Sequence, residues 1–302
     1  QAVDTIIRAK THEINHMDNL TGNLHLEHSF KGERTLIADA NYIYFMNNNP
    51  NRYDYAYYNG EGKPLFESLA ASGKHTPIHF WVFSADYSGK IGDKMELDAG
   101  AKSSITRFVN DIRVSYDGKV QPDMSADYNL RENTHAVYGS LSWKLTDKTT
   151  MKGGLRYEYT TSELGSATTP HIVDRKYGEL FPTFYFSQQL PAHQSLDFAY
   201  SRRINRPSIN ALAPFTIFWD PSTLITGNPA LQPSISDATE ISYLVKNLMF
   251  KASYTHVAHA FSSFQQVDAT TGKEVITVGN TRYMRYLTLT ASVPVTITPW
   301  WS

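Results

Sequence analysis

The chain has 302 residues, a net charge of -1 and no cysteine, with 41% hydrophobic and 19% charged residues. These values exclude a disordered chain, disulfides and thiolate metal sites, and the nearly neutral charge does not favour nucleic acid as a partner. Nineteen tyrosines, fifteen phenylalanines and five tryptophans accompany a mean hydropathy of -0.39, which is typical of strands that are apolar on alternate residues only. No apolar run reaches the roughly eighteen residues of a membrane helix.

The first half of the chain alternates apolar and polar residues, a pattern that indicates strands with a different environment on each face. Leu24 and Leu26 alternate with His25 and Glu27, and a similar segment up to Tyr44 predicts a hairpin. The clearest strand covers residues 96–106, where one face is polar or small and the other mainly apolar: Glu96, Asp98, Gly100, Lys102, Ser104 and Thr106 against Leu97, Ala99, Ala101, Ser103 and Ile105. One face is expected to meet water and the other hydrocarbon or a core.

The same alternation recurs to the end of the chain and predicts further strands. They are centred near the following residues: Trp81, Leu141, Tyr157, Phe184, Phe198, Tyr243, Tyr254 and Leu289. In total we expect about eleven strands of roughly ten to fourteen residues, the length of a tilted strand that crosses a membrane.

The connections between these strands are alternately short and long. Short turns are predicted near Lys31, Lys90, Asp147, Pro191, Asn247 and Thr298; long connections are predicted at Asn47 to His75, Asp111 to Asn133, Thr161 to Lys176, Asn205 to Asp237 and Ser262 to Thr281. Outer-membrane barrels have short periplasmic turns and long extracellular loops, whereas a soluble sandwich has less need of such asymmetry. The fold class predicted is all-β, an antiparallel transmembrane β-barrel. An odd strand count does not close such a barrel, so residues 1–302 are expected to be a fragment, about half of a barrel of about 22 strands.

Two motifs in the second half of the chain carry a family resemblance. The segments Ser201-Arg202-Arg203-Ile204-Asn205-Arg206-Pro207 and Gly227-Asn228-Pro229-Ala230-Leu231-Gln232-Pro233 closely resemble the barrel of TonB-dependent outer-membrane receptors of the Bacteroidota type. This resemblance implies a barrel in the bacterial outer membrane that imports a siderophore, haem, a vitamin, a glycan or a peptide. It also implies an N-terminal plug domain, which a TonB-type energy-coupling protein displaces. The plug, the coupling segment and the closing strands are not present in residues 1–302. No cofactor and no enzymatic reaction are expected.

A second function fits the same barrel. The chain could belong to a scaffold or accessory subunit in the outer membrane that binds a surface lipoprotein and imports nothing. A third interpretation, a barrel hydrolase, would use Ser201, Asp197 and His193, but Asp197 and Ser201 lie four strand residues apart, about 13 Å. We interpret these three residues as polar groups of the barrel lumen.

Aromatic residues in two long connections are the candidate ligand-binding residues. Tyr53, Tyr55, Tyr57 and Tyr58 could form an extracellular platform that stacks on an organic ligand or a sugar, or they could belong to a hairpin that extends a strand beyond the membrane. In the second connection the candidates are Phe215, Phe218 and Trp219, although an aromatic cluster among prolines more often packs against its own loop.

Charged residues of the predicted barrel lumen form a second candidate group. Arginines and glutamates are expected to brace the wall or a plug in a lumenal network: Arg156, Glu158, Glu179, Arg202, Arg203 and Arg206. The arginines could instead attract an anionic ligand. No metal site is predicted, because His256 and His259 would lie on opposite faces of a strand, and His25 with Glu27 suits a hydrogen-bonded pair better than two metal ligands.

Overall fold

The computed structural model describes residues 5–212, 216–220, 223–267, 272 and 274–294, with the backbone alone for residues 123, 126, 209 and 216–220. The strands are β1 Thr5–Glu13, β2 His16–Phe30, β3 Arg34–Asn59, β4 Pro64–Ile91, β5 Met95–Tyr116, β6 Lys119–Val120, β7 Ala126–Thr146, β8 Thr149–Ser166, β9 Val173–Leu190, β10 Gln194–Asn205, β11 Thr216–Asp220, β12 Thr223–Thr226, β13 Ser234–Val245, β14 Leu248–Ala258, β15 Phe261–Val267, β16 Glu274–Asn280 and β17 Tyr283–Ser292. A 3-10 turn at Pro122–Met124 and one short helix, α1 at Ile209–Leu212, complete the described elements. None of the helices in these ranges is long and apolar enough to cross a membrane.

One antiparallel sheet forms most of the molecule, in the order β1-β3-β4-β5-β7-β8-β9-β10-β13-β14-β17. β2 also pairs with β3, over residues 34–48, and β1 pairs with residues 51–59 of the same strand, so β1 and β2 follow one another along one side of β3. With this pair counted as one interrupted strand, the main sheet has eleven long strands among the described residues. This arrangement confirms the predicted all-β antiparallel fold, and the sheet does not close into a complete barrel.

The two faces of the sheet differ in the way the sequence predicts. Side chains on the outward face are apolar and exposed, as illustrated by Leu24, Val137, Leu155 and Leu289, which are 52–74% exposed. The cross-strand register keeps them together, since Val137 lies opposite Ala101 on β5 and Tyr157 on β8. In the same part of the wall, the inward face carries polar side chains such as Asp98, Tyr138 and Lys152. On β7 the outward residues from Trp143 to Val137 are mostly apolar, as expected for a surface that meets lipid.

The strands of the first half are longer than predicted. β3, β4 and β5 have 26, 28 and 22 residues, so the expectation of ten to fourteen residues is wrong for them. The interval from Asn47 to His75 is not an irregular loop, because β3 and β4 stay paired from Arg34 opposite Gly89 to Tyr58 opposite Pro64. The periodicity disappears from the sequence there because both faces of this extracellular extension lie outside the hydrocarbon.

A second, smaller sheet lies beside the wall, in the order β11-β12-β16-β15. β15 and β16 form a hairpin where a long connection from Ser262 to Thr281 is predicted, and β12 pairs with β16 in parallel. Leu212 and Leu231, from the segment between β10 and β13, pack against inward-facing residues of the wall: Phe108, Ile112, Val114, Tyr128, Leu130, Leu164 and Val173. This segment therefore folds over the inward face of the wall. The turn predicted near Thr298 lies outside the described residues.

Candidate functional site

Three of the candidate tyrosines form a ladder on the inward face of β3. The rings of Tyr53 and Tyr55 are stacked with centroids 6.3 Å apart, and the rings of Tyr55 and Tyr57 are 6.4 Å apart. Phe66 of β4 continues the ladder, since its ring stacks on Tyr57 at 4.3 Å. Tyr55 is only 4% exposed, so its ring mainly supports Tyr53 and Tyr57, whose rings are half-buried. The tyrosines thus lie in a hairpin that extends β3 and β4, and ligand binding by their rings stays a prediction.

Tyr58 is separated from this ladder. The register shifts between Tyr57 and Tyr58, and the guanidinium of Arg8 lies 4.9 Å from the centre of the Tyr58 ring. Arg52 and Asp54 alternate with the ladder residues and therefore face outward, where their side chains form an ion pair of 2.9 Å. The hydrogen bond from Arg52 lowers the pKa of the Asp54 carboxyl.

A polar cluster lies on the same inward face, between the ladder and the membrane-spanning part of the wall. Thr76 donates a hydrogen bond of 2.6 Å to Oδ1 of Asn110, and both side chains are buried. In the described part of the chain, Asn110 Nδ2 and Asn51 Oδ1 are buried without a hydrogen-bond partner. Lys74 points to the same face, and burial lowers the pKa of its ammonium group. Such groups favour a ligand that supplies oxygen acceptors and a donor.

Sequence reasoning missed the polar cluster. The four residues are spread over three strands, Asn51 on β3, Lys74 and Thr76 on β4, and Asn110 on β5, and only the register brings them together. A lysine and an asparagine at inward positions of long strands are the one signal that the sequence offers.

Arg206 joins the segment between β10 and β13, the in-folded segment, to the wall. Its Nη2 donates to Glu158 Oε2 at 2.7 Å and to Thr160 Oγ1 at 2.9 Å, and its Nε donates to the hydroxyl of Tyr177 at 3.2 Å. Arg156 Nε donates to the other oxygen of Glu158 at 2.6 Å. The Glu158 carboxylate is thus held between two arginines, an arrangement that charge-assisted hydrogen bonds stabilise strongly.

The other predicted network residues lie apart from this group. Arg202 Nη2 is 3.8 Å from Glu179 Oε2, too far for a hydrogen bond, and strand alternation puts Arg202 on the face of Tyr200. Arg203 is exposed on the opposite face. Phe215 lies outside the described residues, and only the backbone of Phe218 and Trp219, on β11, is described.

The second motif also holds the in-folded segment in place. Arg175 of β9 donates hydrogen bonds to the backbone oxygens of Pro229 and Leu231. Asn228 Nδ2 donates to the backbone oxygen of Val278 at 3.1 Å, and Asn228 Oδ1 accepts from the backbone of Ala230 at 2.9 Å. Both motifs that carry the resemblance therefore connect this segment to its surroundings.

Polar contacts continue along the inward face through the membrane-spanning part of the wall. Lys152 forms an ion pair of 3.0 Å with Asp98, and Tyr138 donates a hydrogen bond to Asp86. The guanidinium of Arg156 lies 5.0 Å from the centre of the Tyr138 ring. Because Arg156 also donates to Glu158, it connects Tyr138 and Asp86 to the Glu158 group. The inner surface is thus polar from the level of Arg206 and Glu158 to the periplasmic half.

The histidines considered for metal binding have other contacts. His25 Nδ1 lies 2.8 Å from Asp39 Oδ1, whereas its Nε2 is 3.9 Å from Glu27. Within the described ranges, no group of three histidine, aspartate or glutamate side chains could hold a metal ion.

Comparison with known proteins identifies the family of this wall. A family model described as the outer membrane protein beta-barrel family matches residues 28–302, and no curated protein matches the chain. Among solved structures, the copper transporter OprC has 10% identity and a TM-score of 0.56, with 93% of this chain and 51% of that chain covered. The ferric-catecholate import receptor Fiu from K12 E. coli has 14% identity and a TM-score of 0.50, with coverages of 90% and 47%.

These neighbours are TonB-dependent receptors, and the chain spans about half of their length. At such identities they establish the shared barrel architecture. The family model covers most of the chain and places it in the bacterial outer membrane. The chain therefore belongs to the outer membrane protein beta-barrel family.

Proposed function

We propose that this chain is part of a TonB-dependent importer, in which it forms about half of a 22-stranded barrel around a plug domain. The observation that carries the proposal is the continuous polar inner face, which runs from Lys152 and Asp98 through Tyr138 and Arg156 to Arg206. A scaffold barrel could be filled by apolar side chains, whereas a barrel that admits a plug and a hydrated ligand needs a polar lumen.

The ligand is proposed to bind first at the inward face of the extracellular extension. Tyr53 and Tyr57 offer ring surface to a flat or ring-shaped group. Farther toward the membrane, the same inward face supplies an acceptor at Asn51, two residues from Tyr53, then a cation at Lys74 and a donor at Asn110. This combination favours an organic ligand with both an aromatic or sugar ring and oxygen acceptors, which includes siderophores, haem, glycans and some vitamins and peptides.

Energy is proposed to come from the inner membrane through a TonB-type protein that acts on a plug. Arg156 and Glu158 lie on the inward face of the wall, and Arg206 bonds the in-folded segment to the same group. A plug that fills the lumen would contact these residues, so they are proposed to stabilise the wall during plug movement.

Uptake by cells that carry the full protein tests the proposal. The probes are ferric enterobactin, haemin, cyanocobalamin, a maltodextrin and a mixed peptide digest, each added with and without a protonophore. We expect uptake of one probe that stops when the protonophore removes the proton-motive force. Tyr57→Ala should reduce that uptake about tenfold, whereas Tyr58→Ala, on the other side of the register shift, should not.

Other outcomes would contradict the import function. Uptake that continues in the presence of the protonophore would exclude energy coupling. Failure of all the probes to enter, together with co-purification of a surface lipoprotein, would favour the scaffold function. Equal effects of the two tyrosine substitutions would exclude the ladder as the binding surface.

A further inference from the structure

A groove of about 640 Å³ lies on the outward face of the wall, over β5 and between β4 and β8. Its outward-facing lining has small residues in the floor and larger ones at the sides: Ala85, Ala101 and Ser103, with Phe83, Val137 and Tyr159. The register explains this shape, because small residues of β4 and β5 lie opposite one another there. The groove belongs to the part of the wall that faces hydrocarbon, so its apolar surface suits an acyl chain.

The end of the groove nearer the extracellular side is polar. Ser103 and His135 are cross-strand partners on β5 and β7, and Ser103 Oγ lies 3.0 Å from His135 Nδ1. Both side chains face outward, in the same row as Phe83 and Tyr159. A polar pair at this height indicates that the groove reaches the boundary between hydrocarbon and headgroups.

Two arginines of like charge lie directly opposite each other above the groove. Arg107 and Arg131 are cross-strand partners, both exposed, four residues beyond Ser103 and His135, which is about 13 Å along the strands. In the described part of the chain neither arginine forms a hydrogen bond or an ion pair, although Glu163 faces Arg131 from β8. Like charges in this position repel one another, so an anion between them would stabilise the pair.

We propose that Arg107, Arg131 and the groove below them form a binding site for a phosphate-bearing lipid of the outer leaflet. The two guanidinium groups bind the phosphate, for which their planar geometry is well suited. One acyl chain lies in the groove between Phe83 and Tyr159, and His135 contacts the polar part of the lipid. The position of the groove on the membrane-facing surface favours a lipid over a soluble anion, which would leave the apolar groove empty.

Native mass spectrometry of the full protein in detergent tests this site directly. The probes are dimyristoyl phosphatidic acid, dimyristoyl glycerol and inorganic phosphate. Dimyristoyl glycerol has the acyl chains without the phosphate, and inorganic phosphate has no acyl chains. We expect phosphatidic acid to bind at least about tenfold more tightly than either of the other two, a difference of about 1.4 kcal/mol. The difference arises because the arginines bind the phosphate and an acyl chain fills the groove. This comparison needs no variant and therefore does not depend on the folding of one.

Two variants and their controls locate the site. R107Q/R131Q should weaken binding of phosphatidic acid about tenfold or more, and Ala101→Trp, which fills the groove, should do the same. Arg113→Gln is the matched charge control, because Arg113 is also outward-facing on β5 but already forms an ion pair of 2.9 Å with Asp111. Thr239→Trp, at an outward position of β13, is the control for the added ring.

Several results would overturn the proposal. Equal binding of phosphatidic acid and dimyristoyl glycerol would show that the phosphate is not recognised. Equal binding of phosphatidic acid and inorganic phosphate would show that the groove contributes nothing. An effect of Arg113→Gln as large as that of the double variant would show that general charge attraction, not the Arg107 and Arg131 pair, holds the lipid.

Discussion

The hydroxyl of Tyr138 on β7 donates a hydrogen bond to the carboxylate of Asp86 on β4, and the Tyr138 ring crosses the intervening strand β5 at Gly100. An added Cβ at Gly100 would lie 2.6 Å from Asp86 Oδ1 and 2.7 Å from the Tyr138 ring. The absence of a side chain at one position thus allows a bond between two strands that are not neighbours in the sheet.

Replacement of this glycine should therefore destabilise the wall. In Gly100→Ala the Tyr138 ring has to move, and the bond to Asp86 is lost inside the lumen. We expect the free energy of unfolding to fall by about 1–3 kcal/mol. Urea titration of the protein in detergent, followed by the heat-dependent shift in gel mobility, measures the change.

Gly153→Ala on β8 is the matched control for this prediction. No atom lies within 4 Å of the Cβ that it would add. The same change of residue type should then leave the unfolding free energy within about 0.5 kcal/mol of the original. A loss as large as that of Gly100→Ala would mean that the cost comes from the strand backbone and not from Tyr138.

Arg206→Ala should release the in-folded segment from the wall. The variant loses the hydrogen bonds to Glu158, Thr160 and Tyr177, while Glu158 keeps its contact with Arg156. We expect faster proteolysis within residues 206–233 and a barrel that still shows its heat-dependent mobility, since the strands remain paired. Limited proteolysis of intact cells, followed by mass spectrometry of the fragments, measures the rate.

Arg203→Ala provides the comparison for Arg206→Ala. Arg203 is exposed, three residues earlier, and carries the same charge. Its replacement should leave the cleavage rate unchanged. Identical acceleration in both variants would show that positive charge near the end of β10 matters and the contact with Glu158 does not.

The stability of the wall should depend on pH through Glu132, an inward-facing residue of β7. Burial raises the pKa of the Glu132 carboxyl above its ordinary value of 4.5, against the opposing effects of the Arg206 charge and a hydrogen bond from Ser162. The folded protein then binds a proton that the unfolded chain has already lost, so stability falls as the pH rises from 4.5 through the raised pKa.

Glu132→Gln should remove this dependence. The amide stays neutral, so the urea midpoint of the variant should vary less than that of the parent protein between about pH 4 and pH 8. Glu163→Gln, an exposed carboxylate on β8, is the control and should keep the slope of the parent protein. Parallel curves for the parent protein and Glu132→Gln would contradict the assignment.

The sequence predicts the wall well and its extracellular part poorly, for a physical reason. Where one face meets lipid, as at Leu97, Ala99 and Ala101, apolar and polar residues must alternate, and the strand can be recognised. Where both faces leave the hydrocarbon, as at Tyr53 and Tyr57, no alternation is required, so long paired strands resemble loops in the sequence.

The candidate site shows the same limit. Arg206 and Glu158 are 48 residues apart, but both belong to the charged lumenal network that the sequence predicts, so a contact between them could be expected. Asn51, Lys74 and Asn110 belong to no motif, and only the register of β3, β4 and β5 brings them to one place. No glycine or proline at Tyr57 or Tyr58 indicates in the sequence that the register shifts between them.

The parallel pairing of β12 with β16 sets an order for the assembly of this region. The two strands are separated in the chain by β13, β14 and β15, and the bond between Asn228 and Val278 joins residues 50 apart. Closing such a long loop costs more conformational entropy than forming a contact between residues that are close in the chain. We therefore expect β13 and β14 to pair first and the smaller sheet to form later. The cover of the inner face is thus expected to form late, after the strands of the wall have paired.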